Sequence, residues 1–299
     1  MNCVSVVIPT YNQSLRLEIT LASFLYQTSS VSFEIIVVDD GSTDETLTVL
    51  KSYTKKLPLS IIQQSNKGRA AARNAGVLAS QGELVLFCDS DRPVSNNWVE
   101  SHADKHKKSQ KKIVCVGEIL EFFFANLEEK KQDILLDIEH NWENLSRFSR
   151  VYGYWKIIRS TFFNGECLLH APWITTLIGN LSISRDFVLD VGLLDEDFKT
   201  WGFEHFEFGY RLHEAGGIFK QNQDARNYHL AHSRKTKYSE EIEKSQSLFT
   251  RKNRDKNIEN LSLFLSGKIS VGEFDQMFSK GEKSLLPYSV QKLRYKSYF

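Results

Sequence analysis

Short apolar, β-branched runs alternating with helical patterns over the first 120 residues predict an α/β fold with a mostly parallel central sheet flanked by helices. Two further observations complete the prediction. The apolar runs give way at once to turn-forming and acidic residues, as in IPTYN, DDGSTD and CDSD, and from Tyr238 onward the chain becomes charged and helical. The second of these predicts a helical C-terminal extension over 236–299.

In order, VSVVIP reads as the first strand, a helix spans Leu15 to Gln27, FEIIVVDD is the second strand, and a helix follows Ser42. LSIIQQ, a helix over Arg69 to Ala79, and ELVLFCD complete the alternation, making 1–119 a nucleotide-binding half. In sheets of this kind ligands bind beyond the carboxyl ends of the strands, so the three strand-end motifs are expected to share one crevice. From Glu121 to Ile178 the pattern changes to aromatic and charged residues, with FFF at 122–124 and YGYW at 152–155. Residues 120–178 are therefore expected to be an insertion facing a second substrate, although large aromatics of this kind also serve as ordinary core. Residues 179–235 form the second half of the same domain. The charge pattern after Tyr238 and the aromatic, basic ending LRYKSYF are those of a solvated helical appendage, with an oligomer contact or a membrane-surface anchor as alternatives.

Composition narrows the function classes. The chain of 299 residues is 41% hydrophobic, enough for a sizeable core. Its 38 Lys and Arg against 37 Asp and Glu leave a net charge of +1, so no general attraction to nucleic acid is expected and any phosphate binding must be local. Cys3, Cys88, Cys115 and Cys167 match no zinc spacing and read as reduced thiols. A strand within the first residues in place of a signal peptide, and no apolar run near ~20 residues, point to a cytoplasmic protein with peripheral membrane contact left open.

Two motifs suggest chemistry on their own. In DDGSTD, Ser42 is placed to cap a helix beginning at Thr43, Asp44 and Glu45. Asp89 and Asp91 of CDSD, one residue apart at a strand end, need a cation or hydrogen-bond donors, and a divalent ion bridged to a diphosphate supplies one. Both the dinucleotide fingerprint GxGxxG and the phosphate loop GxxxxGK are missing, which disfavours a dehydrogenase and a common NTPase. A nucleotidyltransferase is disfavoured because no glycine-rich, Lys/Arg-bearing loop follows the first strand.

VSVVIPTYN, IIVVDDGSTD, NKGRAAARNAG, LVLFCDSD, GNLSISRD and WGFEHFEFGYRL, in this order, resemble the family 2 glycosyltransferases of the Rossmann-like GT-A fold. The resemblance spans about 3–235, and it implies inverting transfer from a nucleotide diphosphate sugar, usually UDP-linked, with Mn2+ or Mg2+. It places Thr10, Tyr11, Asp40 and Arg73 around the nucleobase and ribose, Asp89 toward the sugar and Asp91 on the metal. The same blocks add Asp39, Lys67 and Ser90 to the donor side, and Asn180 and Trp201 to the acceptor side. A tyrosine ring face, a carboxylate for an imide N–H and a guanidinium fork suit uracil better than a purine.

His229 and His232 of NYHLAHSRK stand three apart after a strand pattern, and the stretch also resembles the metal-ligand region of β-1,4-galactosyltransferases, so at least one is expected on the metal. His102, His106, His140, His170 and His213 are assigned no role. Within GFEHFEF the family usually reads Gly-x-Glu-Asp, the Asp serving as base, yet here the position holds His205. An ordinary imidazole titrates near ~6.5 and an aspartate near ~3.9, so a histidine can still accept the acceptor's proton. Glu204 or Glu207 as base, or His205 as a packing residue, remain the alternatives. A nucleotide-sugar-binding protein with little transfer activity is the rival function. Sugar and acceptor, whether glycan, lipid-linked, peptide or natural product, are open.

Overall fold

The computed structural model describes residues 3–107, 112–124, 126–140, 142–199, 202–232 and 238–295. The expected alternation is present: β1 (Cys3–Thr10), α1 (Ser14–Phe24), β2 (Ser32–Asp39), α2 (Thr46–Tyr53), β3 (Leu59–Gln63), α3 (Arg69–Ala79) and β4 (Leu84–Cys88). Next come α4 (Trp98–His106), β5 (Ile113–Phe122), α5 (Leu127–His140), α6 (Trp142–Phe148), β6 (Arg150–Val151), α7 (Gly153–Ile158), β7 (Phe162–Phe163), β8 (Glu166–Cys167), β9 (Asn180–Ser184), α8 (Arg185–Val191), α9 (Glu204–Glu214) and β10 (Ile218–Leu230). The C-terminal segment holds α10 (Tyr238–Lys252), α11 (Leu261–Leu265), α12 (Val271–Gln276) and α13 (Tyr288–Gln291).

The sheet runs β3-β2-β1-β4-β9-β5-β10-β8-β7. Its first four strands are all parallel, and β5 and β10 are parallel to each other, but β9 is antiparallel to both β4 and β5. Alternation along β1 sends Val4, Val6 and Ile8 into one core layer and Val7 into the other, which is why the strand reads as a continuous apolar run. Because β1 leads to β2 on one side while β4 lies on the other, the strand order reverses between β1 and β4. That switch point opens a crevice at the ends of the two strands.

Helix α2 begins three residues later than expected. Ser42 does not cap it: its Oγ accepts from the Asn12 N–H (2.9 Å), while Asp44 Oδ1 takes the Thr46 N–H (3.0 Å) and so turns the chain into the helix. The motif thus ties the β1 and β2 ends together through Ser42 and leads into α2 through Asp44.

The C-terminal segment is no solvated appendage. Phe249, Phe264 and Phe274 are fully buried in the same core cluster as Trp155, Trp173 and Phe208, and at about 1.5–3 kcal/mol for each buried side chain they weld the segment to the domain. Trp173 meets Phe249 and Phe274 edge-on at centroid distances of 5.7 and 5.8 Å. Buried Asp275 accepts from the Ala171 N–H (3.0 Å) and lies 3.0 Å from His170 Nδ1. Apart from Asp275, the segment's charges dominate the linear pattern and so hid its apolar face.

Histidines 102 and 106 also prove to be structural. His102 is fully buried, with Nδ1 2.9 Å from Ser182 Oγ and Nε2 3.0 Å from Asn180 Oδ1, and His106 Nε2 reaches Ser182 Oγ at 3.0 Å. Burial pushes His102 down to about 4 and His106 to about 3. An unfolded histidine takes up a proton below ~6.5, whereas these rings do so only far lower, so stability present above that value is lost as pH falls toward the folded values. His102 alone is expected to cost about 2 kcal/mol by pH 5. Urea unfolding at pH 7.5 and pH 5 checks this, and His102→Gln should reduce the difference even though it starts less stable.

Candidate active site

At the switch point Thr10 is paired with Asp39 in register, and the Asp40 N–H donates to the Thr10 carbonyl (2.9 Å). Asp40 is buried and held by three donors: Gln64 Nε2 (2.7 Å) and the Lys67 N–H (2.9 Å) on Oδ1, and the Gly68 N–H (2.9 Å) on Oδ2. Asp40 also lines a cavity of about 290 Å3, together with Thr10, Tyr11, Ser90, Asp89 and Asp91. The Tyr11 ring is half exposed at the mouth of that cavity, 47% accessible.

A second cavity, about 240 Å3, lies beyond the acidic strand end and is lined by Arg73, Arg92, Glu204, His205 and His229, among others. The two cavities share Arg69, Asp89, Asp91 and His232. Asp89 accepts from Arg73 Nη2 (2.7 Å) and Arg92 Nε (3.1 Å). Burial alone would raise the Asp89 carboxyl, but these two guanidinium groups outweigh it and hold it below the ordinary carboxylate range. Gly179 makes this pair possible: a Cβ there would stand 2.2 Å from Asp89 Oδ2 and 2.6 Å from Arg92 Nε.

Asp91 meets the two histidines of the late strand. Its Oδ2 lies 3.5 Å from His229 Nε2 and 3.6 Å from His232 Nε2, and one ligand atom from each of the three falls within 4.8 Å of the others. The other ring nitrogen of His229, Nδ1, is 3.0 Å from Glu121 Oε1, which fixes the ring and leaves Nε2 aimed at Asp91. Burial would raise Asp91, but His229, His232 and Arg92 hold it well below the usual range. One carboxylate and two imidazoles, backed by a second carboxylate, are a donor set that fits a divalent ion of the Mn2+ class.

His205 is the second residue of α9, mostly buried against Phe206, with Nδ1 3.9 Å from Glu204 Oε2. Glu204 Oε1 lies 3.5 Å from Arg73 Nη1. Burial would raise Glu204, but the His205 imidazole and the charges of Arg69 and Arg73 outweigh it, so it stays ionised. Thr10 Oγ1, Arg73 Nε, Arg92 Nη1 and Glu204 Oε2 are all buried without an internal hydrogen-bond partner. Unpaired buried polar atoms are costly, and four at one crevice point to a polar ligand.

Several expected site residues stand elsewhere. Glu207 faces away from the cavities into a bidentate pair with Arg211, at 2.7 and 2.8 Å, and Arg211 also donates to the Val191 and Leu193 carbonyls at 2.7 Å. A guanidinium one turn along the same helix captures it, so Glu207 is a clamp on the α8 exit rather than a base. Asn180 does not face an acceptor: it is fully buried, its Oδ1 accepting from Trp98 Nε1 and its Nδ2 donating to the Glu118 and Ala225 carbonyls. Arg73 lines the second cavity and not the one beside Tyr11. Asp39 accepts from the Ser42 N–H (2.9 Å) within the turn, and Lys67 contributes its backbone while its side chain is exposed. Trp201 lies outside the described residues.

Arg69, Arg92, Glu121 and Tyr295 were not singled out from the sequence, and Tyr152 was marked only as part of YGYW. Arg69 had a signal, since it precedes Arg73 by one helical turn on α3 and shares its face. Arg92 adjoins CDSD directly, but nothing local shows that it folds back on Asp89.

The model of Glycosyl transferase family 2 matches residues 5–169, more than half the chain. The chain belongs to glycosyltransferase family 2. It is 29% identical over 263 residues to the uncharacterized glycosyltransferase YfnE of Bacillus subtilis (80% of this chain, 67% of that protein). It is 28% identical over 235 residues to the chondroitin synthase of Pasteurella multocida (76% and 24%). The chain thus spans about two thirds of the first and a quarter of the second. The S. aureus TarS fragment 1–349 in complex with UDP superposes with a TM-score of 0.64 at 20% identity, covering 95% of this chain and 76% of that one. The family member described here therefore has the GT-A fold, a mixed α/β sheet flanked by helices, with C-terminal helices packed against it. No helix among the described residues is long and apolar enough to cross a membrane.

Proposed function

We propose that the protein transfers a hexose or N-acetylhexosamine from a UDP-sugar to an acceptor hydroxyl, with inversion and with a divalent metal. The observation that carries this reading is a pair of cavities that, among the described residues, share Arg69, Asp89, Asp91 and His232 in their linings, one bearing Tyr11 and Asp40 and the other His205. A donor whose nucleoside lies on Tyr11 and Asp40 would present its diphosphate to Asp91 and its sugar to Asp89, at the mouth of the His205 cavity. The TarS fragment, whose fold this chain shares, is described with UDP, which supports the nucleotide class.

Electrostatics supports the metal. Arg69, Arg73 and Arg92 are matched by Asp89, Asp91 and Glu204, and the whole chain is nearly neutral, so the protein offers little surplus positive charge for a diphosphate. Asp91, His229 and His232 would hold the ion, which when bound offsets the charge developing on the leaving diphosphate. Asp89, braced by Arg73 and Arg92, would accept hydrogen bonds from donor-sugar hydroxyls. His205 would take the proton as the acceptor oxygen attacks the anomeric carbon and the carbon–oxygen bond to the diphosphate breaks, releasing UDP. Glu204, kept ionised beside Nδ1, would stabilise the resulting imidazolium.

Thermal unfolding with UDP-hexoses and UDP-N-acetylhexosamines, with and without Mn2+, tests the donor half. Donor at 100 times its dissociation constant adds about 2.7 kcal/mol of stability. Stabilisation is expected only with nucleotide and metal together. Equal stabilisation by ADP- or GDP-sugars would overturn the uridine assignment, and none from any nucleotide sugar would overturn the reading itself.

A further inference from the structure

The cavity holding His205 is lined by two unlike sets of residues. One is charged, the strand-end carboxylates and arginines already described. The other is apolar and aromatic and includes Tyr152, Leu177 and Phe203 from the domain, and Ile242, Leu265 and Tyr295 from the C-terminal segment.

Tyr295 is held there by a built strap. The Val271 N–H donates to the Leu293 carbonyl (2.9 Å), and Arg294 bonds the Lys268 carbonyl and Glu273 Oε2 (2.8 Å). Gly267, at φ +72°, lets the strap close, because a Cβ there would lie 2.1 Å from the Tyr295 carbonyl oxygen. The Tyr295 ring then packs edge-on against Tyr154 at 5.6 Å and is half-buried at the cavity wall.

We propose that Tyr295, Leu265 and Ile242 form the acceptor-binding wall of this enzyme, and that the acceptor presents a pyranose ring to it. The proposal rests on the transferase reading and adds the acceptor's chemistry and the segment that recognises it. A pyranose has an apolar C–H face that gains by burial on an aromatic ring, and an edge of hydroxyls that the Tyr152 phenol and the strand-end carboxylates can satisfy. In this arrangement the ring stands between Tyr295 and His205, so the wall sets which hydroxyl reaches the base.

The full-length protein loaded with Mg2+ and UDP, probed by saturation-transfer NMR with methyl β-glucoside, methyl β-galactoside and methyl β-N-acetylglucosaminide, tests this. At least one glycoside should receive saturation at its ring C–H protons. Tyr295→Ala should weaken its binding about tenfold while UDP affinity stays within about twofold, and Tyr295→Phe, which keeps the ring, should bind it nearly as wild type. UDP that fails to bind wild type removes the transferase reading. Bound UDP with no glycoside contact, or contact that survives Tyr295→Ala undiminished, removes the acceptor wall alone.

Discussion

Asp91→Ala is expected to abolish Mn2+-dependent binding of UDP-sugar, and transfer with it, while the fold stays intact. Asp91 Oδ2 is the one atom that both His229 Nε2 and His232 Nε2 approach, at 3.5 and 3.6 Å, so its loss removes the only carboxylate of the donor set. Its neighbour Asp89 cannot replace it, being engaged with Arg73 and Arg92. Loss of a second-layer partner typically costs about 10- to 100-fold in metal affinity, so the ligand itself should cost more than ~100-fold and Glu121→Gln should fall within that lower range. His229→Ala with His232→Ala should resemble Asp91→Ala. Calorimetric titration with Mn2+ and UDP, beside circular dichroism of each variant, checks the ordering; a folded Asp91→Ala protein with undiminished Mn2+-dependent UDP binding would refute the metal assignment.

His205→Ala is expected to lose transfer by about 100- to 10,000-fold, the usual contribution of a general base, with donor binding unchanged. The ring lines the cavity beyond the strand-end carboxylates and takes no part in the Asp91 group, so its removal should act on the acceptor's proton alone. Only a neutral imidazole accepts that proton. Transfer should therefore fall as acid protonates the ring, and His205→Asp, a weaker base, should move that loss to lower pH while retaining more activity than alanine. Glu204→Gln should lower turnover without abolishing it, since the carboxylate 3.9 Å from Nδ1 is held ionised and steadies the base. Glu207→Gln should instead lower stability, because it breaks the bidentate pair with Arg211 that anchors the 191–193 turn. Wild-type turnover and an unchanged acidic limb in His205→Ala would take the histidine out of the mechanism and leave Glu204, on the same cavity, as the candidate base.

By itself the sequence determined the alternation of β1 to β4 with their helices, the crevice at the strand ends, and the aspartate and histidines that meet there. These are local properties. Continuous apolar runs, turn residues and a histidine pair three apart carry their meaning within a few residues, and the rule that places ligands at strand ends does the rest. Only the tertiary structure decided between Glu204 and Glu207, two glutamates on one helix that look alike in the chain. The difference is Arg211, one turn away, which captures the second and leaves the first beside His205. Glu121 behind His229 and Asn180 in the core were equally out of reach, because each depends on strands that become neighbours only when the sheet closes. The C-terminal segment was misread for the converse reason: its charges dominate the one-dimensional pattern, while Phe249, Phe264 and Phe274 reach Trp173 and Tyr154 across the fold and bring Tyr295 to the cavity wall. A side chain's chemistry is written in the chain, but which group it faces is set by long-range packing, and that packing gives the chemistry its role.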